Sequence, residues 1–204
     1  MNKEQLEQLV EEEEQAHSTP AVETLEGELE RERYRSRFRS VLQNTIFVLI
    51  VVAAGAVLVA TLWMPVLQIY GSSMEPSLSA GDVVVCLKTD TFSRGDVIAF
   101  YYNNKILVKR VIAMEGDQVS IAEDGTVSVN GEVLTEPYVK RLALGQCNIS
   151  MPYEVPENRM FVIGDDREGS VDSRNSAVGS VDGDQVVGKL LFRVWPGRAI
   201  GRIR

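Results

Sequence analysis

The chain has 204 residues, 45% of them hydrophobic and 25% charged, which suits one modest core rather than two large ones. A formal net charge of -8, from 21 Lys plus Arg against 29 Asp plus Glu, and the lack of a long basic stripe argue against a nucleic-acid binder held by phosphate neutralisation. The single histidine, His17, excludes a multi-histidine metal centre; the two cysteines, Cys86 and Cys147, are too few for a four-cysteine zinc site or a disulfide framework, and whether they form one bridge stays open.

Residues 1–40 carry eleven acidic and six basic residues, and Leu6, Leu9, Val10, Val22, Leu25 and Leu29 are too sparse to close a core. This flexible acidic arm reads as transient helix or disorder, with a short coiled-coil partner site as the lesser reading. From Val41 to Tyr70 no residue is charged, and Thr45 to Met64 supplies 20 nearly uniform apolar positions. At 1.5 Å per residue that is about 30 Å of helix, enough to span a bilayer. A buried helix apolar all round would need a larger protein around it, and a cleaved signal peptide would be shorter and start nearer the N-terminus. Residues 41–66 are therefore read as a transmembrane helix. Arg31, Arg33, Arg35, Arg37 and Arg39 precede it, whereas residues 71–90 hold only Glu75, Asp82, Lys88 and Asp90 as charged residues. The positive-inside rule then predicts a single-pass protein with residues 1–40 cytoplasmic and residues 67–204 extracytoplasmic.

Residues 67–204 predict an antiparallel β domain, so the fold class is mostly β behind one N-terminal helix. β-branched runs at Val83 to Leu87, Val97 to Tyr102, Ile106 to Met114, Met160 to Ile163 and Leu190 to Val194 alternate with Gly, Asp and Asn turns. Asn130-Gly131, between Thr-Val-Ser-Val and Glu-Val-Leu, is a type I′ hairpin signal. With 18 acidic and 15 basic residues, residues 71–204 are close to charge balance, so function must come from local sites.

Three polar clusters offer chemistry. In Gly71 to Leu78 (GSSMEPSL) a serine sits on a turn just past the span; alone this reads as a turn-capping hydroxyl, and it is not the G-x-S-x-G elbow of the α/β-hydrolases. With His17 in the arm, the base for a serine outside would be a carboxylate or a lysine. Lys109, inside Ile106 to Ile112, stands among apolar strand residues, where desolvation lowers an amine pKa; a snorkelling or salt-bridged strand lysine is the bland alternative. Period-two alternation puts Leu107 and Lys109 on one face and Val108 and Arg110 on the other. The third cluster, Gly164 to Arg174 (GDDREGSVDSR), has the composition of an ion network or a calcium loop, and its arginines count against calcium.

In this order and behind one span, these clusters resemble the type I signal peptidases, the membrane-anchored Ser/Lys endopeptidases that remove signal peptides. The boxes that carry the resemblance are Ser73 to Leu78 (S-M-x-P-S-L), Arg94-Gly95-Asp96 with Val97 to Phe100, Lys109-Arg110 with Gly116-Asp117, and Gly164-Asp165-Asp166-Arg167 with Ser170 to Arg174. The resemblance covers residues 41–200. It implies Ser73 as nucleophile, Lys109 as general base and Ser170 as the hydroxyl that orients the lysine amine. Arg110, Asp165, Asp172 and Arg174 would form the ion-pair framework, and Leu67, Ile69, Met74, Leu78, Val84 and Val108 would line two shallow substrate pockets. Gly71 stands where some members carry an oxyanion-assisting serine; Asp166 and Gly169 each replace a commoner Asn. The family's β domain rests an apolar surface on the bilayer, which suits Trp63 to Tyr70.

The resemblance further implies acyl transfer without metal or organic cofactor, on precursor proteins bearing signal peptides with small residues one and three positions before the cut. It implies a place in the plasma membrane, with the lipid bilayer as partner and no nucleic acid. Two other readings are a self-cleaving repressor, which would need a DNA-binding region, and an inactive membrane-anchored β domain serving as a binding or assembly module.

Overall fold

The computed structural model describes residues 3–203, except for the side chains of residue 4 and residues 14–26, so those of His17, Val22 and Leu25 lie outside the described residues. The chain divides into two units, residues 1–58 and 59–204.

Helix α1 spans Lys3–Trp63. Its first two-thirds are rich in Glu, Gln, Leu and Arg, all good helix formers, so the acidic arm is helical here rather than irregular. Thr45 enters the apolar stretch without an orphaned hydroxyl, because its Oγ1 donates to the Val41 carbonyl at 2.8 Å. The helix stops before Pro65, which disfavours helical backbone at the preceding residue. Among the described residues, Gly27–Trp63 is the single stretch long and apolar enough to cross a membrane, and none of its most apolar window is buried within the chain. Exposure of Leu49, Val52, Leu58 and Leu62 is unfavourable in water and suits a lipid surround.

The second unit is antiparallel throughout. Its strands are β1 (Val66–Gln68), β2 (Val83–Leu87), β3 (Val97–Tyr102), β4 (Lys105–Ala113), β5 (Gln118–Ile121), β6 (Val127–Val129), β7 (Glu132–Val133), β8 (Tyr153–Glu154), β9 (Arg159–Ile163), β10 (Val181–Asp182), β11 (Val186–Trp195) and β12 (Gly201–Arg202). The larger sheet runs β1-β2-β11-β3-β4-β9-β10 with β12 on β11, and the smaller runs β7-β6-β5-β8. Two hairpins use left-handed asparagines. Asn103 and Asn104 (φ 43° and 61°) join β3 to β4, and Asn130-Gly131 (φ 55° and 85°) joins β6 to β7 as expected of a type I′ turn.

Central strands are apolar on both faces. Along β3, Val97 and Ala99 enter one buried cluster with Leu78, Val84 and Leu190, while Ile98 and Phe100 enter another with Val111 and Val162. A third cluster, around Val119, Ile121, Val127, Phe161 and Ile163, joins the small sheet to the large one. Strand β4 obeys the same alternation: Leu107 and Val111 share one cluster and Val108 packs in the next. Lys109 and Arg110 therefore leave the strand in opposite directions. Cys86 and Cys147 are both free, and burial pushes the Cys86 thiol up to about 12.

Candidate active site

The serine turn (residues 71–78) lies between β1 and β2, and Met74 and Leu78 anchor it by burial in the apolar cluster beneath. That anchorage leaves Ser72 exposed and turns Ser73 toward β4. Lys109 Nζ donates to Ser73 Oγ at 2.7 Å, across 36 residues of sequence. Lys109 is only 2% exposed. Burial is the largest influence on it and pushes the amine down to about 8, with Asp172 pulling up, Arg174 down, and Asp165 and Asp166 up. A buried, readily neutralised amine on a serine hydroxyl can act as a base.

The four residues expected to form an ion-pair framework make two separate pairs. Arg110 binds Asp165 in bidentate fashion (2.9 and 2.7 Å), and Arg174 binds Asp172 in the same way (2.8 and 2.9 Å). All four side chains are at most 1% exposed. Arg110 also donates to the Gly95 carbonyl at 2.9 Å, which gives the Arg94-Gly95-Asp96 box a structural role. The flanking residues of that box pair outward, Arg94 with Asp117 and Asp96 with Lys189.

Ser170 is 1% exposed and its Oγ makes no hydrogen bond among the described residues, so no bond links it to the lysine amine. It lies close to the dyad nonetheless. A Cβ added at Gly164 would fall 2.2 Å from Ser170 Oγ and 2.5 Å from the Ser73 carbonyl oxygen, so only glycine allows this approach. The Asp166 N–H donates to that same carbonyl at 3.1 Å. Asp166 and Gly169 are coupled: the Gly169 N–H donates to Asp166 Oδ1, and a Cβ at residue 169 would lie 2.5 Å from Oδ2. Aspartate at one position thus goes with the missing side chain at the other.

Ser73 opens onto a groove of about 620 Å³ walled by residues 66–71 and 104–108. Of the residues expected to bind substrate, Leu67, Ile69, Met74 and Val108 line it. Leu78 and Val84 do not; both are fully buried in the cluster behind it. Residues 105–109 of β4 pair only with β3, because β9 joins from Arg110 onward, and β1 pairs only with β2. Two free strand edges therefore face the groove.

Two partly buried partners, Glu136 and Tyr138, escaped the sequence reading, and Arg167 appeared there only within its box, without a partner. The Tyr138 ring covers the Arg110 guanidinium with Cζ 3.9 Å from its centroid, the Tyr138 hydroxyl donates to Glu136, and Glu136 pairs with Arg167. Glu136 and Tyr138 sit on an irregular connection with no periodicity to flag them. The pairing of Arg167 depends on that connection's path.

Comparison with known proteins identifies the family. The family model described as signal peptidase, peptidase S26, matches residues 40–195. Signal peptidase IB of Staphylococcus aureus (strain COL) is 39% identical over 148 residues, covering 63% of this chain and 76% of that protein. Signal peptidase I of Bacillus licheniformis is 33% identical over 172 residues, 76% of this chain and 91% of its own. A crystal structure of a signal peptidase I from Enterococcus faecalis V583 matches at 31% identity with a TM-score of 0.40, over 49% of this chain and 97% of that one. With a family match over more than half of its length and an apolar N-terminal helix, the chain is membrane-anchored and belongs to the signal peptidase family, peptidase S26, among the type I enzymes.

Proposed function

We propose that this chain is a membrane-bound serine endopeptidase that removes signal peptides from exported precursor proteins, with Ser73 as nucleophile and Lys109 as general base. The observation that carries the assignment is the 2.7 Å contact between Ser73 Oγ and the buried Lys109 amine. In the neutral form the lysine nitrogen has a lone pair, and the same contact then runs from hydroxyl to amine. Ser73 Oγ attacks the scissile carbonyl while Lys109 takes its proton; the tetrahedral intermediate collapses, the lysine returns the proton to the leaving amine, and a water repeats the cycle to release the acyl-enzyme. The Ser73 backbone N–H has no hydrogen-bond partner among the described residues and is the candidate donor to the oxyanion, Gly71 offering no side chain. Ser170 is the neighbouring hydroxyl that orients the amine once substrate is bound.

An extended precursor segment fits between the free edges of β1 and β4 by strand addition. Leu67, Ile69, Met74 and Val108 make the groove apolar near Ser73, in keeping with small residues such as alanine one and three positions before the cut. Orientation follows the five arginines before the span: the arm lies in the cytoplasm and the β domain acts at the outer face of the plasma membrane, beside the bilayer from which its substrates emerge. An inactive binding module would have no use for a lysine buried at this cost.

Purified full-length protein in detergent should process a precursor. Ser73→Ala should reduce cleavage to background, and Ser72→Ala should retain most of it, since Ser72 is exposed and away from Lys109. The reverse pattern would reject Ser73 as nucleophile.

A further inference from the structure

Glu136 and Tyr138 lie outside every motif that identifies the family, on the connection between β7 and β8, yet they meet the dyad's supports on two sides. The edge of the Arg110 guanidinium is filled by Asp165, the Gly95 carbonyl and Ser77. The Tyr138 ring, 3.9 Å from Cζ, closes one of its two faces. The Tyr138 hydroxyl donates to Glu136 Oε1 at 2.9 Å. Glu136 is the one hydrogen-bond partner of the Arg167 guanidinium among the described residues, and the two side chains are 4% and 1% exposed. Further along the same connection, the Leu144 carbonyl accepts from Arg174 Nη1 at 2.9 Å. Gly145 (φ +62°) passes so close that a Cβ would lie 2.4 Å from the Arg167 carbonyl oxygen and 2.6 Å from Arg174 Nη1. Residues 136–145 thus form a strap across residues 165–174.

The chain neighbours of these partners are the reacting groups. Arg110 follows Lys109 in β4, and Asp165 precedes Asp166, whose N–H holds the Ser73 carbonyl. A guanidinium fixed at its edge and on one face therefore sets both the strand that carries the amine and the segment that carries the hydroxyl. We propose that Tyr138 is a positioning residue for the dyad: its ring, laid on one face of the Arg110 guanidinium, holds Arg110 against Asp165. This rests on the assignment of Ser73 and Lys109 above.

Without the ring, water reaches Arg110 and the adjoining part of β4, so the Lys109 amine is better hydrated and its ammonium form less disfavoured. The charges acting on Lys109 are those of Asp172, Arg174, Asp165 and Asp166, and those facing Tyr138 are Glu136, Arg110 and Arg167. A change at position 138 removes none of them. A moved pH profile would therefore report position and hydration rather than a deleted charge.

The test measures kcat and KM for peptide cleavage from pH 6 to 10 with the full chain in detergent, for wild type, Tyr138→Phe, Tyr138→Leu and Ser73→Ala. Tyr138→Leu should lose about tenfold or more in kcat with KM within about twofold, and its acid limb should move up by roughly 0.5 pH unit or more. Tyr138→Phe, which keeps the ring, should retain the wild-type limb and kcat within about threefold. A Leu variant whose limb superposes on wild type, a loss confined to KM, or a Phe variant as impaired as Leu would overturn the proposal. If Tyr138→Leu does not fold, Tyr138→Met must show the same shift, and failure of both to fold would make Tyr138 a structural prop only. Cleavage by Ser73→Ala would instead reject the dyad itself, whereas an inactive Ser73→Ala beside an unshifted Leu variant rejects only the role of Tyr138.

Discussion

Lys109 holds its amine where an ammonium is costly, since the residue is 2% exposed and burial lowers the pKa from 10.5 to about 8. About one amine in ten is then neutral at pH 7, against roughly one in 3,000 for a free lysine. Cleavage should accordingly rise with pH through about 8. Lys109→Arg should be as inactive as Lys109→Ala, because arginine stays charged. A rate profile flat from pH 6 to 10, or activity in the arginine variant, would point to another base. The same depression affects stability with a definite sign. Between about 8 and 10.5 the unfolded chain binds the lysine proton more readily than the folded one, so stability rises with pH across that window. Below it the folded state carries the whole penalty, about 3 kcal/mol. Lys109→Met should therefore melt above wild type at pH 7, with the advantage shrinking toward pH 10.5, as thermal unfolding in detergent would show. On the proposed role, lysine at this position serves the chemistry at a cost to the fold.

The loop from Gly164 to Arg174 combines two kinds of residue with different consequences. Ser170 Oγ is buried and unbonded, so Ser170→Ala removes an unsatisfied hydroxyl and should leave thermal stability unchanged or slightly raised. Its rate should nevertheless fall by a factor of roughly 10 to 1,000 if the hydroxyl orients the lysine in the substrate complex. Asp172 is different. It accepts from Arg174 through both oxygens and from the Gly164 N–H, so Asp172→Ala strands a buried guanidinium and a backbone donor. That should cost about 3–5 kcal/mol along with the activity. Equal melting temperatures for the two variants would refute this division. The sequence shows this loop as a run of acids and arginines, but which acid meets which arginine is a matter of path: Arg110 reaches Asp165 across 55 residues and Arg174 reaches Asp172 across two.

At the scale of the molecule, the apolar helical stretch exposes Leu, Val and Ile along its length, while the β domain buries three apolar clusters and still leaves Val66, Tyr70, Phe192 and Trp195 exposed. With five arginines before the apolar stretch, a tag at the N-terminus should be protected when protease is added outside intact cells or protoplasts. Digestion of that tag with the membrane intact would reverse the proposed topology.

Much of this was legible before any coordinates. The five β-branched runs fall on strands, two of them with identical limits and one, Ile106 to Met114, overrunning its strand by a residue, because period-two burial is a local property. The Asn130-Gly131 turn and the apolar span could be read for the same reason: each depends on residues within one turn or one helix length. The serine, lysine and Gly-Asp boxes pointed to a Ser/Lys pair, but only the paired strands carry Lys109 across 36 residues to Ser73. Packing alone puts Leu78 and Val84 behind the groove rather than on its wall, since both lie on faces directed into the core. Packing also recruits Glu136 and Tyr138 from a segment with no pattern of its own, and brings Arg167 of the Gly-Asp box to meet them. Local periodicity specifies elements and their faces; which distant side chains then meet is set by sheet order, register and the path of the connections, and the chemistry of this site resides in those meetings.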